Sequence, residues 1–166
     1  TPQARAKYLF DIGDYKNAFT EYIKLLSGEP EDAFLNWRVG LCHLYQNIDK
    51  SRSIPYLLKV TRKDKFEDEV LYDMGLAYMY NEQIDSALLF LNKYKLKVTK
   101  PDRMIDVTRQ IEFCENARKF MKDPVNVSFV NLGNKINSEG PDMHPFTPLD
   151  ESFLVFSTNK RVSHRS

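Results

Sequence analysis

The histidines and cysteines, the side chains most diagnostic of a metal site or an activated nucleophile, are few and scattered. The chain has three histidines, His43, His144 and His164, and two cysteines, Cys42 and Cys114. No histidine has a partner at metal-ligand spacing. Cys42 and His43 are neighbours, but adjacent residues on a helix point in different directions, and no second pair completes a zinc site. Both cysteines read instead as small buried apolar residues, Cys42 just after Gly40 and Cys114 within an apolar stripe. No nucleophile–base pair supports a hydrolase. The expectation is a non-enzymatic chain with no metal and no cofactor.

The more informative side chains are aromatic, at 13% of the sequence. Trp37, Leu41 and Tyr45 recur at i, i+4 and i+8, and so do Tyr72, Leu76 and Tyr80, with Met79 beside the last. Each set stacks along one helix face. Such a ladder is either a binding surface, because large rigid rings make good hot spots, or ordinary core covered by the rest of the chain.

The elements that hold these ladders are legible in the stretch Glu69 to Leu91. Leu71, Met74, Gly75 and Tyr78 share one helix face, and after the polar turn Asn81-Glu82-Gln83, Ala87, Phe90, Leu91 and Tyr94 share another. Gly75 and Ala87 are small where two helices cross, and a mid-helix glycine needs such a reason because it costs ~1 kcal/mol against alanine. The stretch is therefore a helical hairpin, and it recurs. Gly40 and Ala6 precede Gly75 at intervals of 35 and 34 residues; Ala87 has earlier counterparts in Ser53 and Ala18, and Leu91 in Leu57 and Tyr22.

Self-similarity near 34 residues resembles a tetratricopeptide repeat (TPR) array. Gly13-Asp14-Tyr15 and Pro30 fall where that family places its inter-helix turn and its repeat-ending proline. The resemblance covers residues 1 to about 100, with two departures in the second repeat: one extra residue between Gly40 and Ser53, and Pro55 early in its second helix. It implies an all-α fold, a right-handed superhelix of three helical hairpins plus a capping helix, with a short C-terminal β or irregular tail. It also implies that the first helix of each hairpin lines a concave groove. The partner-binding positions would then be Phe10 in the first repeat, Trp37, Leu41 and Tyr45 in the second, and Tyr72, Leu76, Met79 and Tyr80 in the third. The lysines and asparagines with which chaperone-tail binders of this family clamp a carboxylate are replaced here by apolar and aromatic residues.

In chain order, residues 3–12 and 15–27, 32–47 and 50–61, and 67–80 and 84–97 are expected to form the hairpins of a three-repeat region, 1–100. Pro101-Asp102 ends one helix and is expected to cap the next. The segment 101–122 is expected to cap the array, with Val107, Ile111, Cys114 and Met121 as its apolar stripe. A third helical hairpin between Cys42 and Cys114 leaves both thiols unpaired. After Lys122 the composition changes: four of the eight prolines lie beyond it. Residues 126–131 (NVSFVN) and 152–157 (SFLVFS) are β-branched and aromatic and read as strands, with a polar loop at 133–140 between them.

The region 123–166 carries a second resemblance. Asp123-Pro124-Val125, Asn131-Leu132-Gly133, Ile136-Asn137-Ser138-Glu139, His144-Pro145 and Asp150-Glu151-Ser152 precede Phe153–Ser157 in an order similar to the junction between a TPR array and the first blade of a TolB-like β-propeller. That junction occurs in periplasmic Bacteroidota proteins ending in an OmpA-like domain, one branch of which serves type IX secretion. A propeller needs several four-stranded blades, more than these residues supply, and no peptidoglycan-binding residue can be carried over. The segment Phe153–Phe156 is too apolar to lie free, so contact with the helices or self-association through the tail is expected.

Composition bounds the partners. A formal net charge of +1 gives no electrostatic reason to expect nucleic acid. The longest apolar run, Ala87 to Leu91, is far short of the ~18 residues of a membrane span. The expected function is a protein–protein interaction scaffold with a protein or peptide in the groove, periplasmic and outer-membrane-associated. The alternative is a TPR module that regulates or targets a larger enzyme or chaperone system.

Overall fold

The computed structural model describes residues 1–46, 48–134 and 136–159, so His164 lies outside the described residues. Two compact units divide the chain, Thr1–Pro124 and Val125–Ser166. The first is helical. Among the described residues it holds α1 (Pro2–Asp11), α2 (Tyr15–Gly28), α3 (Ala33–Tyr45), α4 (Ile54–Thr61), α5 (Glu69–Tyr80), α6 (Ile84–Lys95) and α7 (Pro101–Phe120), with a 3-10 turn at Lys50–Ser53 before α4. The fold is all-α with a short β tail, as the sequence predicts. Each helix packs on the next in sequence, and α5 also touches α3 and α7.

Local chemistry sets the boundaries. Asp14 and Asp32 accept hydrogen bonds from Asn17 N (3.2 Å) and Leu35 N (2.7 Å), satisfying amides at the starts of α2 and α3. Between α1 and α2 the turn needs a left-handed residue, which Gly13 supplies at φ +80°; Glu82 holds the corresponding position between α5 and α6 at φ 57°. Pro55 divides the second hairpin's return helix. It lacks the N–H that would continue the ladder, so Lys50–Ser53 winds as a 3-10 turn and α4 begins at Ile54 with Pro55 in its first turn. Asp102 does not cap α7. The capping position falls on Lys100 and Pro101 opens the helix, leaving Asp102 in the first turn, where its charge complements the helix dipole.

The recurring small residues sit at the helix crossings. A Cβ on Gly75 would lie 2.5 Å from Leu91 Cγ, and one on Gly40 would lie 2.9 Å from Leu57 Cδ2. Ala6, Ala18, Ser53 and Ala87 are fully buried. Three apolar clusters follow. One joins Ala6, Tyr22 and Val39; a second joins Leu41, Leu57 and Met74; the third joins Leu91 to Val107, Ile111 and Cys114 of α7. Met121 lies beyond the end of α7 and is 53% exposed, so it leaves the expected stripe, while Ile105, Phe113 and Phe120 are exposed on α7 itself.

The second unit corrects the strand assignment. Residues 126–131 form no strand; Val127, Phe129 and Val130 are exposed, and β-propensity means little without a pleated surface to pack against. The strands are β1 (Asp142–Phe146), beyond the polar loop, and β2 (Val155–Thr158), antiparallel, with a bulge between Met143 and Phe146. His144 takes φ 54° beside Pro145 within that bulge. The second strand starts late because Asp150 Oδ1 accepts from both the amide (3.2 Å) and the hydroxyl (2.8 Å) of Ser152, holding a turn. Phe153, Leu154 and Val155 are all exposed.

Candidate functional site

The aromatic ladders on α3 and α5 divide by depth. Leu41 (5% exposed) and Leu76 (9%) belong to the central apolar cluster. Trp37, Tyr72, Met79 and, on α1, Phe10 are half-buried, while Tyr45 and Tyr80 are exposed. The buried leucines anchor each helix to the core; Phe10, Trp37, Tyr72 and Met79 pack partly against the same cluster, and Tyr45 and Tyr80 reach solvent. Their spacing follows from the helical period, which puts residues four apart on one face.

A buried acid ties the two ladders together. Asp73 of α5 is 5% exposed, and its carboxylate accepts a hydrogen bond of 2.8 Å from the Trp37 indole Nε1–H of α3. Burial pushes its pKa up to about 6 against the pull of that hydrogen bond. Glu69 raises it further, while Arg103 of α7 and Arg38 of α3 draw it down. The phenols of Tyr45 and Tyr72 are shifted up, each chiefly by desolvation and in part by the Asp73 charge. Tyr72 meets Tyr94 of α6 at a centroid distance of 5.4 Å. The ladder spacing picks out the rings and not Asp73. Its signal was present: a single acid inside the apolar run Val70–Ala77, on a helix whose residues there are almost all buried.

Arg38, which the spacing also leaves out, shows how these rings treat a cation. Its guanidinium carbon stands 4.9 Å from the Phe10 ring centroid, 5.0 Å from Phe34 and 5.6 Å from Trp37. Its Nε is buried with no hydrogen-bond partner among the described residues, so aromatic faces rather than an acid hold this side chain. Lys50 Nζ likewise sits 4.9 Å over the Tyr80 ring.

Beside Trp37 a cavity of about 590 Å³ opens between α3, α4 and α5. Phe34, Trp37 and Phe66 form aromatic walls, and Lys65, Glu67 and Glu69 bring charge to it. A cleft of about 570 Å³ in the second unit, lined by Asn131, Asn134, Asn137, Ser138, Glu139 and Asn159 among others, is polar and lacks aromatic walls.

The reactive side chains are accounted for by packing. Cys42 and Cys114 are free and buried; burial pushes the Cys42 thiol up to about 12. His43 is 6% exposed, stacked against Tyr56 at 5.6 Å and tilted against Phe19 at 4.7 Å, and desolvation depresses its pKa. Among the described residues no group of three His, Cys, Asp or Glu side chains could hold a metal, and no helix is long and apolar enough to cross a membrane. No family model matches the chain, and comparison with curated proteins gives no match either.

Proposed function

We propose that the helical unit is a non-catalytic protein–protein interaction module of the TPR type, taking a segment of a partner protein along the ring-bearing faces of α1, α3 and α5. One observation carries this reading: along the same helix faces that bury Leu41 and Leu76, Trp37, Tyr72 and Met79 stay half-buried and Tyr45 and Tyr80 exposed. Rings placed so offer large area with few rotors, the signature of a binding hot spot. The repeat spacing of Gly40, Gly75, Leu57 and Leu91, with the close contacts at both glycines, supports the TPR assignment. In the same reading the chain is the scaffold part of a periplasmic, outer-membrane-associated protein of the TPR–propeller–OmpA-like kind, linking a secretion or envelope machine to its partners. A TPR module that regulates or targets a larger enzyme or chaperone system is the alternative.

Selection of binders from a random peptide library tests the groove. Trp37→Ala and Tyr80→Ala are each expected to cost the selected peptides about 2 kcal/mol of binding while the chain stays folded. Variants that bind normally but unfold readily would show the rings to be core and would sink the groove.

A further inference from the structure

We propose that the cavity beside Trp37 receives a basic side chain, arginine or lysine, of the partner segment. This deepens the groove reading and rests on it. The walls are Phe34, Trp37 and Phe66, and the charges at the cavity are Glu67, Glu69 and Lys65, two acids against one base. All three charged side chains are exposed, and neither acid forms an ion pair among the described residues. Both acids also border a neighbouring cavity with Lys97, Lys100 and Arg103, yet neither is tied to one of these cations by an ion pair, so both can turn to a guest. Aromatic faces attract cations through the ring quadrupole, and two of these walls, Phe34 and Trp37, already do so on their Arg38 side.

The charge behind the cavity points the same way. Asp73 adds a third carboxylate next to Trp37 and fixes the indole through its N–H, so the ring stands as a wall rather than a flap. Arg38 and Arg103 oppose it at longer range; Arg38 is already engaged by Phe10, Phe34 and Trp37. An acidic guest would face Glu67 and Glu69, with the buried Asp73 behind Trp37, and find Lys65 alone at the cavity. An aliphatic guest would fill the aromatic space and leave Glu67 and Glu69 without a counter-charge. A long stem ending in a cation satisfies both the rings and the acids.

The chain's single tryptophan makes the test specific. The indole ¹H–¹⁵N resonance of Trp37 is followed while the full chain is titrated with acetyl-Gly-Arg-Gly-amide, with its citrulline analogue of equal shape and no charge, and with the glutamate analogue. The arginine peptide is expected to move the resonance saturably, the citrulline peptide to bind about tenfold more weakly, and the glutamate peptide not to bind. The exposed pair Glu67→Gln/Glu69→Gln is expected to weaken the arginine peptide about fivefold while the chain stays folded, and Lys65→Ala to tighten it up to about twofold. Equal binding of the arginine and citrulline peptides would overturn the basic guest and leave the groove standing. A preference for glutamate would do the same. An indole resonance unmoved by all of the peptides would overturn the basic guest, and the groove would then stand or fall on the library selection.

Discussion

The helical unit and the ribbon that follows it use similar residues to opposite effect. In the helical unit, Val70, Leu71, Met74 and Leu76 lie along a single helix and are buried against the turns around them. In the second unit, Val127, Phe129, Val130 and Phe153 are as apolar but stay exposed. The difference is periodicity. A 3.6-residue period with a small residue at each crossing lets one helix bury its face on the next. Two short strands offer no second layer on which to pack, and a two-stranded ribbon is marginal by itself. Hydrophobicity therefore specifies structure in the first region and only composition in the second.

The sharpest way to break the comparison is at the crossings. Gly75→Leu forces a side chain into Leu91, whose Cγ lies 2.5 Å from where a Cβ would stand. The expected loss is about 3 kcal/mol, beyond any gain in helix propensity. Gly140→Ala in the ribbon meets nothing closer than Asn159 Cβ at 3.6 Å, so its effect on global unfolding should stay under about 0.5 kcal/mol. Urea unfolding of both variants decides the matter; a tolerated Gly75→Leu would mean that the hairpins do not depend on this close approach.

Asp73 sharpens the comparison from inside the helical unit, as a buried group that works against its stability. Its folded pKa, about 6, lies above the ordinary 3.8. The folded state thus holds the proton more tightly, and stability falls as pH rises from about 4 to about 6, then levels. The whole cost is about 3 kcal/mol, present above pH 6. His43, depressed from 6.5 by desolvation, has the opposite sign, losing stability as pH falls below its usual value. The difference between two curves isolates Asp73. Asp73→Asn keeps an acceptor for the Trp37 indole but adds an amide N–H₂, so the variant should be about 1–2 kcal/mol more stable than the parent at pH 7.5 and lose the advantage by pH 4.5. An advantage that persists at pH 4.5 would refute the titration of this group as its cause.

What could be read beforehand follows the same division. Gly40 and Gly75, with Leu57 and Leu91 beyond them, reveal the hairpins because sequence spacing maps directly onto helix contacts. Pro55 marks a departure in the second repeat, but the helix expected over 50–61 does not show the break that starts α4 at Ile54, since a proline can kink, cap or interrupt depending on what packs around it. The burial of Asp73 is not legible because a polar residue one position from a ladder reads as solvent-facing, whereas in the fold α3 brings Trp37 onto it. The ladder's depth was equally hidden: nothing in the i, i+4 pattern distinguishes Leu41, in the core, from the exposed Tyr45. In the second unit, NVSFVN has strand composition but forms no strand, whereas Asp142–Phe146, with Pro145 inside it, pairs with Val155–Thr158 without strand composition. Pairing is a property of two segments, and composition describes only one.

The smallest expected effect lies in the ribbon. Phe146 and Phe153 approach at 6.4 Å between centroids, and each remains more than half exposed. Removing one ring forfeits a solvent-facing contact, not a core, so Phe153→Ser should shift the unfolding of the helical unit by less than about 0.5 kcal/mol. Hydrogen exchange gives the site-resolved form of this expectation. Amides of α5 and α6, inside buried hairpins, should open only with global unfolding, whereas those of Asp142–Phe146 and Val155–Thr158 should exchange by local opening at far lower cost. The bulge reinforces the point, because Pro145 contributes no N–H and His144 turns the strand out of register. Protection of the ribbon equal to that of α5 would erase the difference between the two regions. Protection that rises with protein concentration would instead show a second copy pairing with an open strand edge, the route by which the tail's exposed apolar residues would find cover.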